Sequence, residues 1–169
     1  SICLVVSLFF ISNGFKTNAM LNQLAKDSLL PENALTNGKP TVFEFYADWC
    51  EACKEMAPSM IDIKKIYLNK VDLVLLNVDN YRWNDLLDKY NVNGIPHLNF
   101  FDSHGDFKGF SVGVKQNDKL DDIFLALLNN SDLPYLNKIS NSSDLNSDTY
   151  FKQSKSKDNI EYSSPRDHS

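Results

Sequence analysis

The chain has 169 residues, 43% of them hydrophobic, and a formal net charge of -5, which suits one globular domain with a substantial core. So acidic a chain is not expected to bind nucleic acid. Three cysteines are too few for a disulfide-stapled secreted scaffold, so the close pair Cys50 and Cys53 is predicted to be redox-active or metal-binding.

The first segment is an uncharged apolar run from Ile2 to Ile11. It is shorter than the roughly 20 residues that span a bilayer, and no basic residue precedes it. We expect residues 1–15 to be the end of a membrane anchor that starts before the numbering. A cleaved signal peptide and a buried N-terminal strand are the alternatives, and the anchor is favoured because no A-x-A cleavage pattern follows.

A helix, a strand and a second helix are predicted next. Apolar residues at helical spacing indicate a helix over Asn18–Leu30, and Pro31–Pro40 is rich in turn formers. The run Thr41–Ala47 is so apolar that both faces of this strand should be covered, which buries Glu44. Apolar residues recur at spacings of three and four from Cys50 to about Asn69, which predicts an amphipathic helix.

The second half of the chain continues this alternation. A second apolar strand is expected over Val71–Val78, followed by a short helix, two strands joined by a Gly-containing turn, and a closing amphipathic helix. These last four elements are assigned to Tyr81–Tyr90, Leu98–Phe101, Phe107–Val114 and Lys119–Asn129. Helices and strands thus alternate in an α/β pattern.

Beyond about Asn137 the chain becomes rich in Ser, Asn, Asp and Lys, with few apolar residues. Such a segment cannot bury enough apolar surface to offset the entropy of ordering it, so residues 137–169 are predicted to be a polar disordered tail. The folded domain is accordingly placed at residues 16–136.

Two cysteines separated by two residues, where a strand meets a helix N-terminus, lie within disulfide reach. Cys50 is predicted to be an exposed nucleophile that attacks a substrate disulfide, and Cys53 to resolve the mixed disulfide. Zinc sites use the same spacing but need two further ligands, and a purely structural disulfide adds little stability over so short a loop. We expect no metal, and no cofactor beyond the redox-active disulfide.

Four motifs occur in order: VFEFYADWCEACKEMAP around the cysteines, NVD at 77–79, GIPH at 94–97 and Gly113 at a strand end. Over roughly residues 31–130 this pattern resembles the thioredoxin superfamily. Within it, the sequence is similar to the TxlA-type membrane-tethered thioredoxin-like proteins, which are thiol:disulfide interchange proteins of cyanobacteria and thylakoids. The resemblance implies a thioredoxin-like fold, with a central mixed sheet flanked by helices, an N-terminal membrane segment and a polar tail.

The resemblance also implies roles for residues near the cysteines. Pro96 is expected to be a cis-proline that lies against the pair, while the Ile95 backbone pairs with a substrate strand. Glu44 matches the buried acid of thioredoxins and is expected to accept the proton of Cys53. A tolerated buried acid without this role is the alternative. Trp49 is expected at the rim, covering the disulfide.

The sequence departs from cytosolic thioredoxins between the two sulfurs, where Glu51-Ala52 replaces Gly-Pro. A carboxylate beside the nucleophile opposes the thiolate and raises the pKa of Cys50. A less stabilised thiolate makes the dithiol a better reductant, which favours a reductase over a strong oxidase. Leu75 stands where thioredoxins have a lysine beside the buried acid, so Glu44 lacks its usual charge partner.

These features predict a membrane-tethered thiol-disulfide oxidoreductase that reduces disulfides of client proteins in an extracytoplasmic space, the thylakoid lumen or a periplasm. The resemblance implies that electrons arrive through a membrane thiol transporter of the CcdA type. It also implies that the clients include cytochrome apoproteins before haem attachment. A disulfide oxidase or isomerase is the enzymatic alternative, and a non-catalytic thioredoxin-fold binding module is the alternative from another class.

Overall fold

The computed structural model describes residues 16–137. Helical residues 16–26 form α1, and α2 is a single helical turn at Pro31–Ala34. The remaining elements are, in chain order, β1 Thr41–Tyr46, α3 Glu51–Ile66, β2 Asp72–Asn77, a 3₁₀ turn Tyr81–Trp83, α4 Asn84–Lys89, β3 His97–Phe101, β4 Phe107–Val112 and α5 Asn117–Leu128.

The four strands form one mixed sheet in the order β2-β1-β3-β4. β1 and β2 are parallel, with Thr41 beside Asp72 and Tyr46 beside Asn77. β3 runs antiparallel to β1, and β4 runs antiparallel to β3. β1 is therefore an inner strand that is hydrogen-bonded on both sides, and the predicted central mixed sheet is confirmed.

Helices cover both faces of this sheet. Because alternate strand residues point to opposite faces, Val42 and Tyr46 pack with buried side chains of α1, α3 and α5. Phe43 and Phe45 pack on the other face, with Ala34 of α2 and with partly buried residues of α4. Every residue of β1 is buried, as expected for a strand that is covered on both sides.

Most predicted elements are confirmed, with shifted ends that have physical causes. Residues 31–34, predicted as turns, form a helical turn that begins with Pro31 at its first position, where the missing proline N–H costs nothing. α1 ends at residue 26, and the Ser28 hydroxyl just beyond it donates to the Leu24 carbonyl and accepts from the Leu75 N–H. The Ser28 N–H donates to the Ala25 carbonyl, three residues back rather than four, and the Ser28 side chain ties the end of α1 to β2.

The chain after α5 returns along the edge strand β4. The Asn137 N–H donates to the Phe110 carbonyl at 3.0 Å, and the Val112 N–H donates to Asn137 Oδ1 at 2.7 Å. These bonds satisfy backbone groups that an edge strand otherwise leaves open. Asn137, predicted as the first residue of the tail, is therefore bonded to the sheet.

Two predicted segments fall on residues that the structure does not describe. These are the membrane anchor at residues 1–15 and the tail beyond Asn137. Within residues 16–137, no helix combines the length and the apolar character needed to cross a membrane.

Candidate active site

The cysteine pair lies where β1 ends and α3 begins. Cys50 is the N-cap residue of α3, with extended backbone, and its Sγ accepts a hydrogen bond from the Cys53 N–H at 3.1 Å. The two residues form a disulfide, and their Cα atoms are 5.3 Å apart. Unpaired N–H groups at a helix start stabilise negative charge on a capping atom, so this position favours the Cys50 thiolate when the disulfide is reduced.

The two cysteines differ in their access to solvent. Cys53 has no exposed surface, whereas 5% of Cys50 is exposed. Cys50 is flanked by Trp49 and Glu51, which both lie at the surface. The predicted nucleophile is thus mostly covered in the disulfide form, although it remains the more accessible of the two residues.

The carboxylate of Glu51 is not alone beside the nucleophile. Lys54 Nζ lies 2.7 Å from Glu51 Oε1, within the first turn of α3. A cation at this position offsets part of the carboxylate charge that acts on Cys50. Sequence reasoning missed Lys54, although an acid and a lysine three residues apart on a helix are a recognisable pair. Ala52 packs against the apolar cluster around the cysteines.

Glu44 is fully buried in the middle of β1, as predicted. Its neighbours in the sheet are Leu75 on β2 and Leu98 on β3. Among the residues that the structure describes, neither Glu44 carboxylate oxygen has a hydrogen-bond partner. Burial raises the pKa of Glu44 from its ordinary value of 4.5 to about 8, because the charged form loses its hydration.

Glu44 lies on the same side of the sheet as the cysteines. Strand alternation gives it the face of β1 that carries Val42 and Tyr46. Both of those residues belong to the buried cluster that includes Cys53. The structure therefore brings the buried acid and the buried cysteine to one side of β1.

The Trp49 indole lies at the rim of the site and is held by a residue that sequence reasoning missed. Its Nε1–H donates to Asp79 Oδ2 at 2.9 Å. Asp79 belongs to the NVD motif that follows β2, and its backbone N–H donates to Asn77 Oδ1 at 2.9 Å. The parallel pairing of β1 and β2 brings the ends of these strands together, so the motif was the available signal for this contact.

The peptide bond between Ile95 and Pro96 is cis, as the resemblance implied. Pro96 is buried, and Ile95 is half-buried against the apolar clusters on both faces of the sheet. The Pro96 carbonyl accepts the Gly113 N–H at 2.9 Å. Because β3 is antiparallel to β1, with His97 beside Phe45, this loop lies at the sheet edge where β1 ends.

His97, although it follows Pro96, is packed on the face opposite Glu44. Its Nε2 is 2.9 Å from Asn99 Oδ1, and its ring stacks on Phe110 and meets Phe45 edge-on. Burial lowers the pKa of His97 below its ordinary value of 6.5. The sheet thus separates this imidazole from the side that carries Cys53.

Both sulfurs of the CxxC motif are joined in the disulfide rather than free as metal ligands. In the described part of the chain, no group of three or more His, Cys, Asp or Glu side chains is placed to hold a metal ion.

The fold and the site together define a class of protein. A helix-flanked mixed sheet carries a Cys-x-x-Cys disulfide after β1 and a cis-proline before β3. The family model named Thioredoxin matches residues 21–126. The chain therefore belongs to the thioredoxin family, and Cys50 and Cys53 form the redox pair of a thiol-disulfide oxidoreductase.

Similar proteins confirm the predicted likeness to TxlA-type proteins. The chain is 38% identical over 127 residues to a thiol:disulfide interchange protein TxlA homolog of Synechocystis, covering 73% of this chain and 71% of that protein. It is 35% identical over 151 residues to TxlA of Synechococcus elongatus, covering 89% and 76%. It is 48% identical over 104 residues to the chloroplastic thioredoxin-like protein HCF164 of Arabidopsis thaliana, covering 62% of this chain but only 40% of HCF164.

Replacing Glu44 with Gln should remove a pH dependence of stability. The pKa of Glu44 is about 8 in the folded chain and 4.5 in the unfolded chain, so the folded state binds the proton more tightly. The resulting contribution to the free energy of unfolding is complete below pH 4.5 and is lost as the pH rises through 8. At pH 9 the variant should be more stable than the parent by roughly 2 to 4 kcal/mol, and the difference should shrink toward pH 5. Urea unfolding of the oxidised chains at pH 5, 7 and 9 measures it.

The control for this prediction is Glu32→Gln, which replaces an exposed carboxylate on α2. Its stability should differ from that of the parent by the same small amount at every pH. A Glu44→Gln effect of equal size at pH 5 and pH 9 would contradict a raised pKa of Glu44.

Proposed function

We propose that this protein reduces disulfide bonds of client proteins through Cys50 and Cys53. The observation that carries the proposal is their disulfide at the start of α3, with Cys50 slightly exposed beside two surface residues and Cys53 fully buried. In the reduced protein, the Cys50 thiolate attacks one client sulfur, and the other leaves as a thiolate that takes up a proton. Cys53 then attacks Cys50, which re-forms the internal disulfide and releases the second client thiol. Two electrons pass to the client.

Cys53 must lose its proton before it attacks the mixed disulfide, and we assign Glu44 as the acceptor. The support is that both residues are fully buried on one side of β1. A carboxyl pKa of about 8 lies close to the ordinary thiol value, so the transfer is nearly balanced. Leu75, in place of a lysine beside this acid, leaves the pKa to be set by burial alone.

The client strand is proposed to dock between Trp49 and the Ile95-Pro96 loop. The loop and the indole lie at the same edge of the sheet, on either side of the position of Cys50. Ile95 offers backbone groups ahead of β3 for pairing with an extended segment, which is a common mode of peptide recognition.

The residues between the sulfurs are proposed to set the redox balance. Glu51 opposes the Cys50 thiolate, Lys54 offsets part of that charge, and Ala52 adds no polar group. The helix N-terminus favours the thiolate and by itself makes the pair more oxidising, whereas Glu51 works against it, so we expect a pair suited to reduction rather than to strong oxidation.

The cellular setting is proposed from the relatives and from the apolar run Ile2–Ile11. TxlA and HCF164 are named as thiol:disulfide interchange and chloroplastic thioredoxin-like proteins. We therefore place the domain in the thylakoid lumen or a periplasm, tethered to the membrane by its N-terminus. Electrons from a CcdA-type thiol transporter and a role in cytochrome maturation complete this proposal.

Two rival functions fit the same fold. A disulfide oxidase or isomerase would use the same two cysteines with a more oxidising potential. A binding module would keep the disulfide static and hold its clients without reducing them. The Glu51 carboxylate beside the nucleophile favours the reductase over the oxidase, and the buried acid on the Cys53 side of β1 favours a catalytic pair over a static one.

The third cysteine, Cys3, is first replaced by Ser so that Cys50 and Cys53 are the cysteines that remain. In this background, Cys53→Ser should accumulate client proteins in mixed disulfides with Cys50, because the resolving sulfur is missing. Expression in the native host, non-reducing gels and mass spectrometry of the trapped bands measure this. The control is Cys50→Ser, which leaves only the buried Cys53 and should trap few clients or none. If Cys53→Ser traps no more protein than this control, the binding module is favoured instead.

Glu44→Gln should slow the resolution of the mixed disulfide by about 10- to 100-fold at pH 7, because an amide cannot accept the Cys53 proton. The parent rate should rise between pH 7 and 9, whereas that of the variant should rise less. The substrate is a disulfide between two client peptides that carry different fluorophores. Release of the first peptide thiol measures the attack by Cys50, and release of the second measures the resolution by Cys53. Equal slowing of both steps would indicate a structural role for Glu44.

The reduction potential should lie near -270 mV, and a value near about -120 mV would identify a disulfide donor. Glu51→Gln should make the potential less negative by about 10 to 30 mV, because the thiolate loses a repelling charge. Lys54→Gln should shift it the opposite way, because Glu51 is then unpaired. Equilibration with dithiothreitol buffers measures all three chains, and shifts of the same sign would contradict this account of the Glu51–Lys54 pair.

A further inference from the structure

A shallow, open cleft of about 400 Å³ lies next to Trp49, the residue that precedes Cys50. It is lined by the loop after β2, at Asn77, Asp79, Asn80 and Tyr81. Asp79 connects this cleft to the redox site, because its Oδ2 accepts the indole N–H of Trp49, the residue next to Cys50. A client segment that lies over Cys50 and Trp49 therefore reaches the cleft.

Two aromatic side chains stand in solvent beside this cleft. Trp49 is 63% exposed and Tyr81 is 87% exposed. The Trp49 indole is fixed by its bond to Asp79, so its position relative to the cleft is set before a client binds. Rigid aromatic rings that offer a face to solvent are common contact residues in interfaces, and they attract cations through their π-systems.

Asp79 is the carboxylate that lines the cleft, and two more carboxylates, Asp48 and Glu51, lie on either side of Trp49 and Cys50 in the sequence. Segments 48–51 and 77–81 contain three carboxylates and no Lys or Arg. Two cations close to them in sequence have other contacts: Lys54 pairs with Glu51, and the Arg82 guanidinium lies 4.8 Å from the centre of the Trp83 ring. Asp48, at the start of the rim, lies 3.5 Å from the Asn77 amide.

We propose that this cleft selects client segments that carry an arginine, or less favourably a lysine, two or three residues from the cysteine that Cys50 attacks. The guanidinium binds the Asp79 carboxylate and packs against the Tyr81 ring. Arginine is preferred because its planar fork fits both a carboxylate and an aromatic face. The proposal deepens the disulfide reductase function and rests on it.

The two- or three-residue spacing follows from the connection between the cysteine and the cleft. Only the Trp49 indole and one hydrogen bond separate the residue beside Cys50 from Asp79. An extended client advances about 3.3 Å per residue, so two or three residues cover roughly that separation. A cation next to the client cysteine falls short of the cleft, and one much farther along the segment passes it.

The test uses peptides that bind without reacting. The oxidised full chain is titrated with neutral end-capped peptides that carry Ser in place of the reactive cysteine and Arg, Gln or Glu three residues away. Amide signals of residues 77–81 and the indole N–H signal of Trp49 are followed by NMR. At low salt the Arg peptide should bind about fivefold more tightly than the Gln peptide, and the Glu peptide more weakly than either.

Variants then locate the preference in the cleft. Asp79→Asn keeps an oxygen for the Trp49 indole but removes the charge, so the dissociation constant of the Gln peptide divided by that of the Arg peptide should fall from about five to about one. Tyr81→Ala should reduce the ratio in part. The control Glu32→Gln, on α2 near the start of β1, should leave it unchanged. Equal affinities in the parent, a preference that survives Asp79→Asn, or no signal change at residues 77–81 would each overturn the proposal.

Failure of the cleft and failure of the reductase function give different results. The reduced chain is also given disulfide versions of the Arg and Gln peptides. If it reduces both at equal rates, the reductase function is supported and the proposed role of the cleft is wrong. If the titration shows an Arg preference but no peptide disulfide is reduced, the reductase function is wrong and the cleft is a binding surface only.

Discussion

The two-sided burial of β1 is the constraint on which the site depends. This strand is hydrogen-bonded to β2 and β3 and covered by helices on both faces, so its middle is shielded from bulk solvent. A carboxyl placed there, at Glu44, cannot keep its hydration and holds its proton to a much higher pH. The same strand ends just before Cys50, so it places the sulfur at the start of α3 and the acid on the face of the sheet that packs against α3.

Charge around the cysteines is divided between an interior and a surface. The interior charge is that of Glu44, and it is governed by desolvation, which is strong and insensitive to salt. The surface charges belong to Asp48, Glu51, Lys54 and Asp79, and water and ions screen them. Surface groups can therefore adjust affinity and potential by modest amounts, while the proposed proton step in the interior uses one residue, Glu44. Substitutions at the rim and in the sheet should consequently have effects of different size and different pH dependence.

Much of the fold and the central pair could be predicted from sequence because their signals are local. The apolar run of β1 and the spacing of Cys50 and Cys53 each lie within a few residues, and the cis bond before Pro96 followed from a recognised motif. Contacts between distant segments had no such signal. The Trp49–Asp79 bond depends on the parallel register of two strands, and the pairing of Asn137 with β4 depends on the path after α5. The Glu51–Lys54 pair did have a local signal, an acid and a lysine three residues apart on a helix, but the prediction for Cys50 included only the carboxylate next to it.

The leucines that stand beside Glu44 in the sheet, in place of a lysine, determine how much of this acid is ionised at neutral pH. A nearby cation would lower the pKa of Glu44 and keep it ionised, ready to accept a proton at neutral pH. With Leu75 and Leu98 as its strand neighbours, Glu44 is instead mostly protonated below pH 8. At pH 7 roughly one molecule in ten has the ionised acid. In the proton transfer proposed above, only that fraction of Glu44 can deprotonate Cys53, so the proposal ties the rate of resolution to the pH around the domain. An acidic compartment therefore lengthens the life of the mixed disulfide, and with it the time for which a client stays bound to Cys50.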